Sequence, residues 1–401
     1  MATTRTNSMR LRPLNRENPV GKMNADATQV TRSALHEIGN KVSNITLDVK
    51  KKDDLTQKVS VRQKAIVAAA QKAATIVNPL ADTVVKQENI SKAVKNVEKS
   101  TKVVHSPMEV CEVQNEPCVP CINMANVFDI DADDEDNPQL VSEYVNDIYA
   151  YLRELEKSYN VKHNYLHGQE ITGKMRAILI DWLCQVHHRF RLLQETLYMT
   201  VSIIDRFLQI RPVSRSKLQL VGVTSMLIAS KYEEMYAPEV SDFVYITDNA
   251  YTRTDIRQME TLILKTLDFR LGKPLCLHFL RRNSKAGQVD GNTHTLAKYL
   301  MELTVIEYDM VHYNPSLIAA AALCLSIKLL SNGDWTDTLS YYSTYTLEDL
   351  SDTMKKIAKL VIKAETSKLT AVRTKYQSSK FYKISSIPDL KGEQIRRFAE
   401  C

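Results

Sequence analysis

The chain has 401 residues and a net charge of +6, room for about two ordinary domains plus a tail. No apolar run is long enough to span a bilayer, the N-terminus lacks the apolar core of a secretory signal, and seven irregularly spaced cysteines suit reduced thiols of the cytosol or nucleus. Only ten glycines favour long helices over turn-rich sheet architecture.

The first element is a tail. Residues 1–127 contain none of the 28 aromatic residues; the first is Phe128. Such a segment has little to offset the entropy of ordering it, so 1–127 is predicted to be disordered. Residues 1–110 carry 19 Lys+Arg against 10 Asp+Glu, a net +9, which leaves −3 for the remainder. The basic pI therefore describes the tail, and the rest of the chain lacks the charge expected of a nucleic-acid binder. Cys118 and Cys121 form a lone C-x-x-C with Cys111 upstream, too few ligands for a closed zinc site.

Residues 128–171 read as an acidic linker, Phe128–Asp136 (FDIDADDED), followed by an N-terminal helix. Asn137-Pro138 is a helix-start signal. Leu140, Tyr144, Ile148, Tyr151, Leu152 and Leu155 then follow helical spacing and predict an apolar face that packs on a neighbour. The next stretch, Met175–Phe190 (MRAILIDWLCQVHHRF), is apolar on nearly every side. Met175, Ile178, Leu179, Trp182, Leu183 and Val186 line one face, with Ala177, Ile180 and Cys184 opposite. Arg176, Asp181 and Arg189 are its main charges. Helices are predicted at about 173–191, 195–209, 214–231, 238–246 and 253–267, punctuated by Pro212 and Pro238.

The second half repeats the first. Tyr251-Thr252-x-x-Asp255-Ile256 matches Tyr345-Thr346-x-x-Asp349-Leu350 at an offset of 94, and Ser225–Lys231 matches Ala322–Lys328 at 97. The Ala- and Ser-rich segments Val223–Ser230 and Ile318–Ser326 suit a central helix that neighbours approach closely. The predicted fold is all-α: two five-helix units at 172–271 and 272–401, an N-terminal helix, and a disordered tail before them.

The M-R-A-I-L start with D-W-L behind it resembles the signature helix of the cyclin box. The likeness runs from about Pro138 to the C-terminus and is densest at 173–285. Phe190–Phe207 (FRLLQETLYMTVSIIDRF) and Leu277–Lys285 (LHFLRRNSK) are similar to the mitotic B-type cyclins. The resemblance implies tandem cyclin-box folds and a regulatory subunit that activates a mitotic cyclin-dependent kinase and targets its substrates at the G2/M transition. It implies no catalysis and no cofactor. Gly168–Lys174 (GQEITGK) lacks the ending of a P-loop, and His187 and His188 have no carboxylate or cysteine at ligand spacing.

By this resemblance, Lys231 and Glu260 match the family's kinase-contact pair, with Tyr232 and Phe269 supplying apolar area beside them. Spacing alone reads the two charges as an internal surface pair. Arg176 and Asp205 match a structural pair that holds the first helix of the box against the second. Met175, Ile178, Leu179, Trp182 and Gln185, with Leu218 and Gln219, match a docking patch for Arg-x-Leu motifs of substrates and inhibitors. Any of these side chains also suits a core, Ile178 most of all. Arg281, Arg282, His294 and Lys298 form a basic cluster; Arg281, His294 and Lys298 are read as a phosphate pocket.

In the tail, Arg32–Asn40 (RSALHEIGN) looks like a destruction box carried by Arg32, Leu35, Ile38 and Asn40. It implies recognition by the anaphase-promoting ubiquitin ligase, with Lys22, Lys41, Lys50, Lys51 and Lys52 nearby as ubiquitin acceptors. Arg189–Leu192 also fits R-x-x-L but lies in the predicted helical core. Ser106-Pro107 is a minimal site for a proline-directed kinase. The family implies shuttling between cytoplasm and nucleus. The rival readings are a cyclin-fold transcription factor, opposed by the absent zinc ribbon and the acidic balance of the folded part, and a helical scaffold without a kinase.

Overall fold

The computed structural model describes residues 124–400, where thirteen α-helices and no strand occur. The destruction-box residues Arg32, Leu35, Ile38 and Asn40, Ser106, the tail lysines and the C-x-x-C lie outside the described residues. Among the described residues no helix is long and apolar enough to cross a membrane.

The segment expected to be an acidic linker is strapped onto the second half of the molecule. Ile130 is buried in the core, and its amide donates to the Tyr342 hydroxyl at 3.3 Å. Asp131 accepts both arms of Arg282 at 2.6 Å and Lys285 at 2.8 Å, and Asp134 pairs with Lys285. The burial of Asp131 opposes its charge, but Arg282 and Lys285 outweigh that and hold its carboxyl below the usual range. An apolar anchor followed by a carboxylate, set opposite basic residues, makes the strap.

Helix α1 (Val145–Ser158) starts seven residues later than Pro138 suggested. Asn137 forms an Asx turn, accepting from the Gln139 amide at 3.1 Å, and Val141 sits at φ 52°, which stops a helix there. Its packed face also differs from the expected one. Tyr149 donates to the His278 carbonyl at 2.9 Å, Arg153 donates to the Tyr342 carbonyl, and buried Glu156 accepts Ser316 Oγ at 2.6 Å. Tyr144, Ile148 and Tyr151 face outward instead. One polar–aromatic row found partners, so the more apolar row stayed open.

The first repeat consists of α2 (Gly173–Phe190), α3 (Gln194–Ile210), α4 (Arg215–Glu233), α5 (Val240–Ile246) and α6 (Arg253–Thr266), all within two residues of expectation. The second comprises α7 (Cys276–Ala286), α8 (Gly291–Ile306), α9 (Pro315–Leu330), α10 (Asp337–Ser343) and α11 (Leu347–Thr366). Two short helices follow, α12 (Ala371–Tyr376) and α13 (Glu393–Glu400).

The matched Y-T-x-x-D segments are helix N-caps. Thr252 Oγ1 accepts the Asp255 amide at 3.1 Å while Asp255 accepts the Thr252 amide at 2.8 Å; Thr346 and Asp349 do the same at 3.3 and 2.8 Å. Each repeat wraps a central helix: every residue from Leu220 to Ser230 in α4, and from Ile318 to Ile327 in α9, is buried. The small residues allow close neighbours. A Cβ at Gly222 would stand 2.8 Å from Leu179 Cδ1, so Gly222 is what lets α4 press against α2.

Buried polar groups close the seam between the repeats. Glu302 on α8 is fully buried and accepts Lys375 at 2.7 and 2.8 Å, Tyr376 at 2.9 Å and Gln194 of α3 at 2.8 Å. Asp181 of α2 accepts the Ala371 amide at 2.9 Å, and burial pushes its carboxyl pKa up. Fully satisfied networks of this kind fix one arrangement of packed elements.

Candidate functional site

The end of α4 runs beside α6, which brings Lys231 and Glu260 together with Nζ 2.6 Å from Oε1. The surface around this pair is apolar. Tyr232 is 57% exposed, Met235 86%, Tyr236 51% and Phe269 66%. Exposed aromatic and thioether side chains therefore lie close to the ion pair, an arrangement able to accept a partner's apolar surface. Phe269 is held out by its backbone. Asp268 and Phe269 sit at φ 50° and 55°, a region non-glycine residues adopt at a cost and one that recurs at functional sites. Tyr232 lies against the same loop, since a Cβ at Gly272 would be 3.6 Å from its hydroxyl.

Sequence reasoning missed Met235, Tyr236 and the outward row Tyr144, Ile148 and Tyr151. Helical spacing shows the row as apolar but does not show which side of the helix is covered. Its helix abuts the site: Tyr159, just past α1, stacks under Arg206 at 4.6 Å and Arg270 at 5.1 Å, and Arg270 follows Phe269.

Arg176 and Asp205 also meet. Arg176 Nε and Nη2 donate to the two carboxylate oxygens at 2.6 and 2.7 Å, and the Tyr165 hydroxyl donates to the same Asp205 at 2.7 Å. Burial works against the Arg176 charge, but Asp205 more than restores it and raises the guanidinium pKa. The remaining Nη1 donates to the carbonyls of Val305 and Ile306 at 3.1 and 3.3 Å. Arg176 thus joins α2 to α3 and also ties the first repeat to the C-terminal end of α8.

The patch residues share one surface of α2 and α4. Met175, Leu179, Trp182 and Leu218 are buried and make a floor; Ile178 and Gln219 are half-buried and Gln185 is exposed. Ile178, expected to be the most core-like, is more open than its neighbours. The reason is helical phase: Leu179 and Leu183 meet Gly222, which turns Ile178 toward the rim. Gln185 Nε2 donates to Asp181 at 3.3 Å.

The basic cluster separates. Arg282 is buried against Asp131 and donates to Asn146 at 2.8 Å, whereas Arg281, one position earlier and so about 100° away on α7, pairs with Glu195. His294 Nδ1 is 2.8 Å from Ser284 Oγ. Lys298 has no ion pair or hydrogen bond among the described residues. Burial, and then the neighbouring Lys298 and Arg281, push the His294 pKa down; burial and then Lys375 do the same to Lys298.

Among the described residues no three His, Cys, Asp or Glu side chains gather at metal-binding distance. His187 is buried with Nε2 2.7 Å from the Leu193 carbonyl, and burial pushes its pKa down to about 4.

Two five-helix repeats in tandem, with an exposed ion pair at the end of the first central helix, define the class of all-helical, two-repeat proteins. Residues 147–272 match the family "Cyclin, N-terminal domain" and residues 274–390 match "Cyclin, C-terminal domain". The chain is 61% identical to a G2/mitotic-specific cyclin-B of Patella vulgata, over 91% of this chain and 90% of that one. It is 60% identical to the cyclin-B of Spisula solidissima over 92% and 90% of the two chains, and 52% identical to a cyclin-B2 of Gallus gallus over 96% of each. The chain belongs to the cyclin family, in its G2/mitotic-specific B-type group.

Proposed function

We propose that this chain is the activating and substrate-targeting subunit of a mitotic cyclin-dependent kinase, acts at the G2/M transition, and has no catalysis of its own. The observation that carries this reading is the Lys231–Glu260 pair set among exposed Tyr232, Met235, Tyr236 and Phe269. An ammonium has three donors and a carboxylate several acceptor sites, so the pair retains capacity for backbone groups of a partner helix. The aromatics around it supply the apolar area that dominates contact energetics. The row Tyr144, Ile148 and Tyr151 extends that area along α1.

The floor of Met175, Leu179, Trp182 and Leu218, rimmed by Ile178, Gln185 and Gln219, suits the leucine of an Arg-x-Leu motif. Substrates and inhibitors dock there, apart from the kinase face. Arg281, His294 and Lys298 take a phosphate on a bound protein, with Lys298 as the charge that lacks a partner. The tail motif at Arg32–Asn40 directs destruction through the anaphase-promoting ubiquitin ligase at mitotic exit, and Ser106 is a phosphosite. The subunit shuttles between cytoplasm and nucleus. It needs no direct nucleic-acid contact, in keeping with the −3 balance outside residues 1–110.

Pull-down of Ser/Thr-Pro-directed kinase activity with the full chain tests the central role. Activity is recovered with the wild type and lost with Glu260→Ala; undiminished recovery with that variant refutes the assignment. For the patch, Ile178→Ala weakens binding of an Arg-x-Leu peptide several-fold without unfolding the protein. Met175→Ala/Leu179→Ala/Trp182→Ala abolishes it, and peptide binding that survives both changes excludes the groove.

A further inference from the structure

Arg206 on α3 is only 9% exposed, yet its side chain makes no hydrogen bond or ion pair among the described residues, and its Nη1 is shut off from solvent without a partner. Its one specific contact is the ring of Tyr159, whose centroid lies 4.6 Å from Cζ. Arg270 shares that ring. Its Cζ lies 5.1 Å from the same centroid, and its exposed side chain also has no ion pair among the described residues. Two like charges are thus gathered on one tyrosine.

The carboxylates nearby are committed elsewhere. Asp205 is held by Arg176 and Tyr165, and Glu156 by Ser316. Asp268, two positions before Arg270, is exposed and pairs with neither arginine. Burial and then Arg270 push the Arg206 pKa down against the opposing influence of Tyr159, and Lys273 adds positive charge to the same region. A buried charge without a counter-ion is costly, and a ring face offsets only part of that cost.

The position of the two arginines says what completes them. Arg270 directly follows Phe269, which is exposed, and Tyr159 directly follows α1, whose row Tyr144, Ile148 and Tyr151 is exposed as well. We propose that Arg206 and Arg270 receive a carboxylate side chain, aspartate or glutamate, from the kinase subunit where the Phe269 loop meets the end of α1. The inference rests on the kinase reading given above. A carboxylate has two oxygens, one for each guanidinium, and a site this closed suits a small planar group better than a tetrahedral phosphate. Arg206 is the fixed member, held on the Tyr159 ring; Arg270, on the exposed side, closes over the ligand.

Titrating the kinase catalytic subunit into the full chain at low and high salt tests the site. Wild-type binding weakens as salt rises; Arg270→Gln binds about tenfold more weakly at low salt and loses most of that salt dependence. Arg396→Gln, which removes an exposed arginine on α13, changes neither. Arg206→Gln also weakens binding, and combining it with Arg270→Gln costs less than the product of the two losses, as for groups that share one ligand. If Arg206→Gln does not fold, the exposed Arg270 position decides the matter. The gap between wild type and Arg270→Gln survives phosphatase treatment of the kinase. Equal affinity and equal salt dependence in wild type and Arg270→Gln overturn the proposal, and a gap that closes after phosphatase treatment overturns the carboxylate. A wild type that fails to bind the kinase at any salt refutes the kinase reading itself, and the proposal with it.

Discussion

Two ion pairs of this molecule share a length of 2.6 Å and a sequence separation of 29 residues, yet they sit in opposite surroundings. The Arg176 and Asp205 side chains are 2% and 7% exposed; those of Lys231 and Glu260 are 50% and 16% exposed. In the buried pair the remaining capacity is used inside the fold: Arg176 donates to the Val305 and Ile306 carbonyls, and Asp205 accepts from the Tyr165 hydroxyl. The exposed pair has only itself and a border of uncovered aromatics. Bond length does not separate the two settings; the fate of the remaining hydrogen-bonding capacity does.

The sharpest way to break this contrast is Arg176→Ala. It leaves Asp205 buried without its counter-charge and is expected to cost about 3–5 kcal/mol in chemical denaturation. Arg176→Ala/Asp205→Ala should cost clearly less than the sum of the single changes; additive losses would show that the pair is not a unit. Next comes acid. The folded pKa of His187, about 4, lies below the ordinary 6.5, so the unfolded chain takes up the proton first. Stability is then lost as pH falls from 6.5 towards 4, by up to about 3 kcal/mol, and His187→Gln should flatten that part of the profile. His278, His294 and His312, also pushed down by burial, leave a residual slope.

Smaller effects test whether the repeats are built alike. Thr252→Ala and Thr346→Ala each remove an N-cap and should cost about 1 kcal/mol by denaturant titration, equally in both repeats. The smallest stability change belongs to Lys231→Ala, below about 1 kcal/mol, because a half-exposed pair is screened by solvent. A large loss of stability there would move Lys231–Glu260 into the same class as Arg176–Asp205.

Much of this was legible in the chain. Hydrophobic periodicity placed α2–α6 to within two residues, and the Y-T-x-x-D repeat identified the N-caps of α6 and α11 because capping is a local interaction. What failed was long-range. Nothing near FDIDADDED indicates that Asp131 pairs with Arg282, 151 residues away, so a strap was read as a linker and Arg282 was grouped with Arg281. The Tyr144–Ile148–Tyr151 row was recognised as apolar, but only the partners of Tyr149 and Glu156 decide which side of α1 is covered. The left-handed backbone at Asp268 and Phe269 carries no glycine to announce it. The Glu302–Lys375–Gln194 network joins three separate segments and has no local pattern at all.

The central claim is that Lys231 and Glu260 are kept for a kinase rather than for the fold. Titrating the kinase catalytic subunit into wild type and Glu260→Ala, with melting recorded on the same preparations, tests it most directly. The account predicts at least about 30-fold weaker binding, the loss typical of a contact hot spot, with melting shifted by no more than about 2 °C. Wild-type affinity in the variant, or a loss of affinity matched by a collapse in melting temperature, would contradict it.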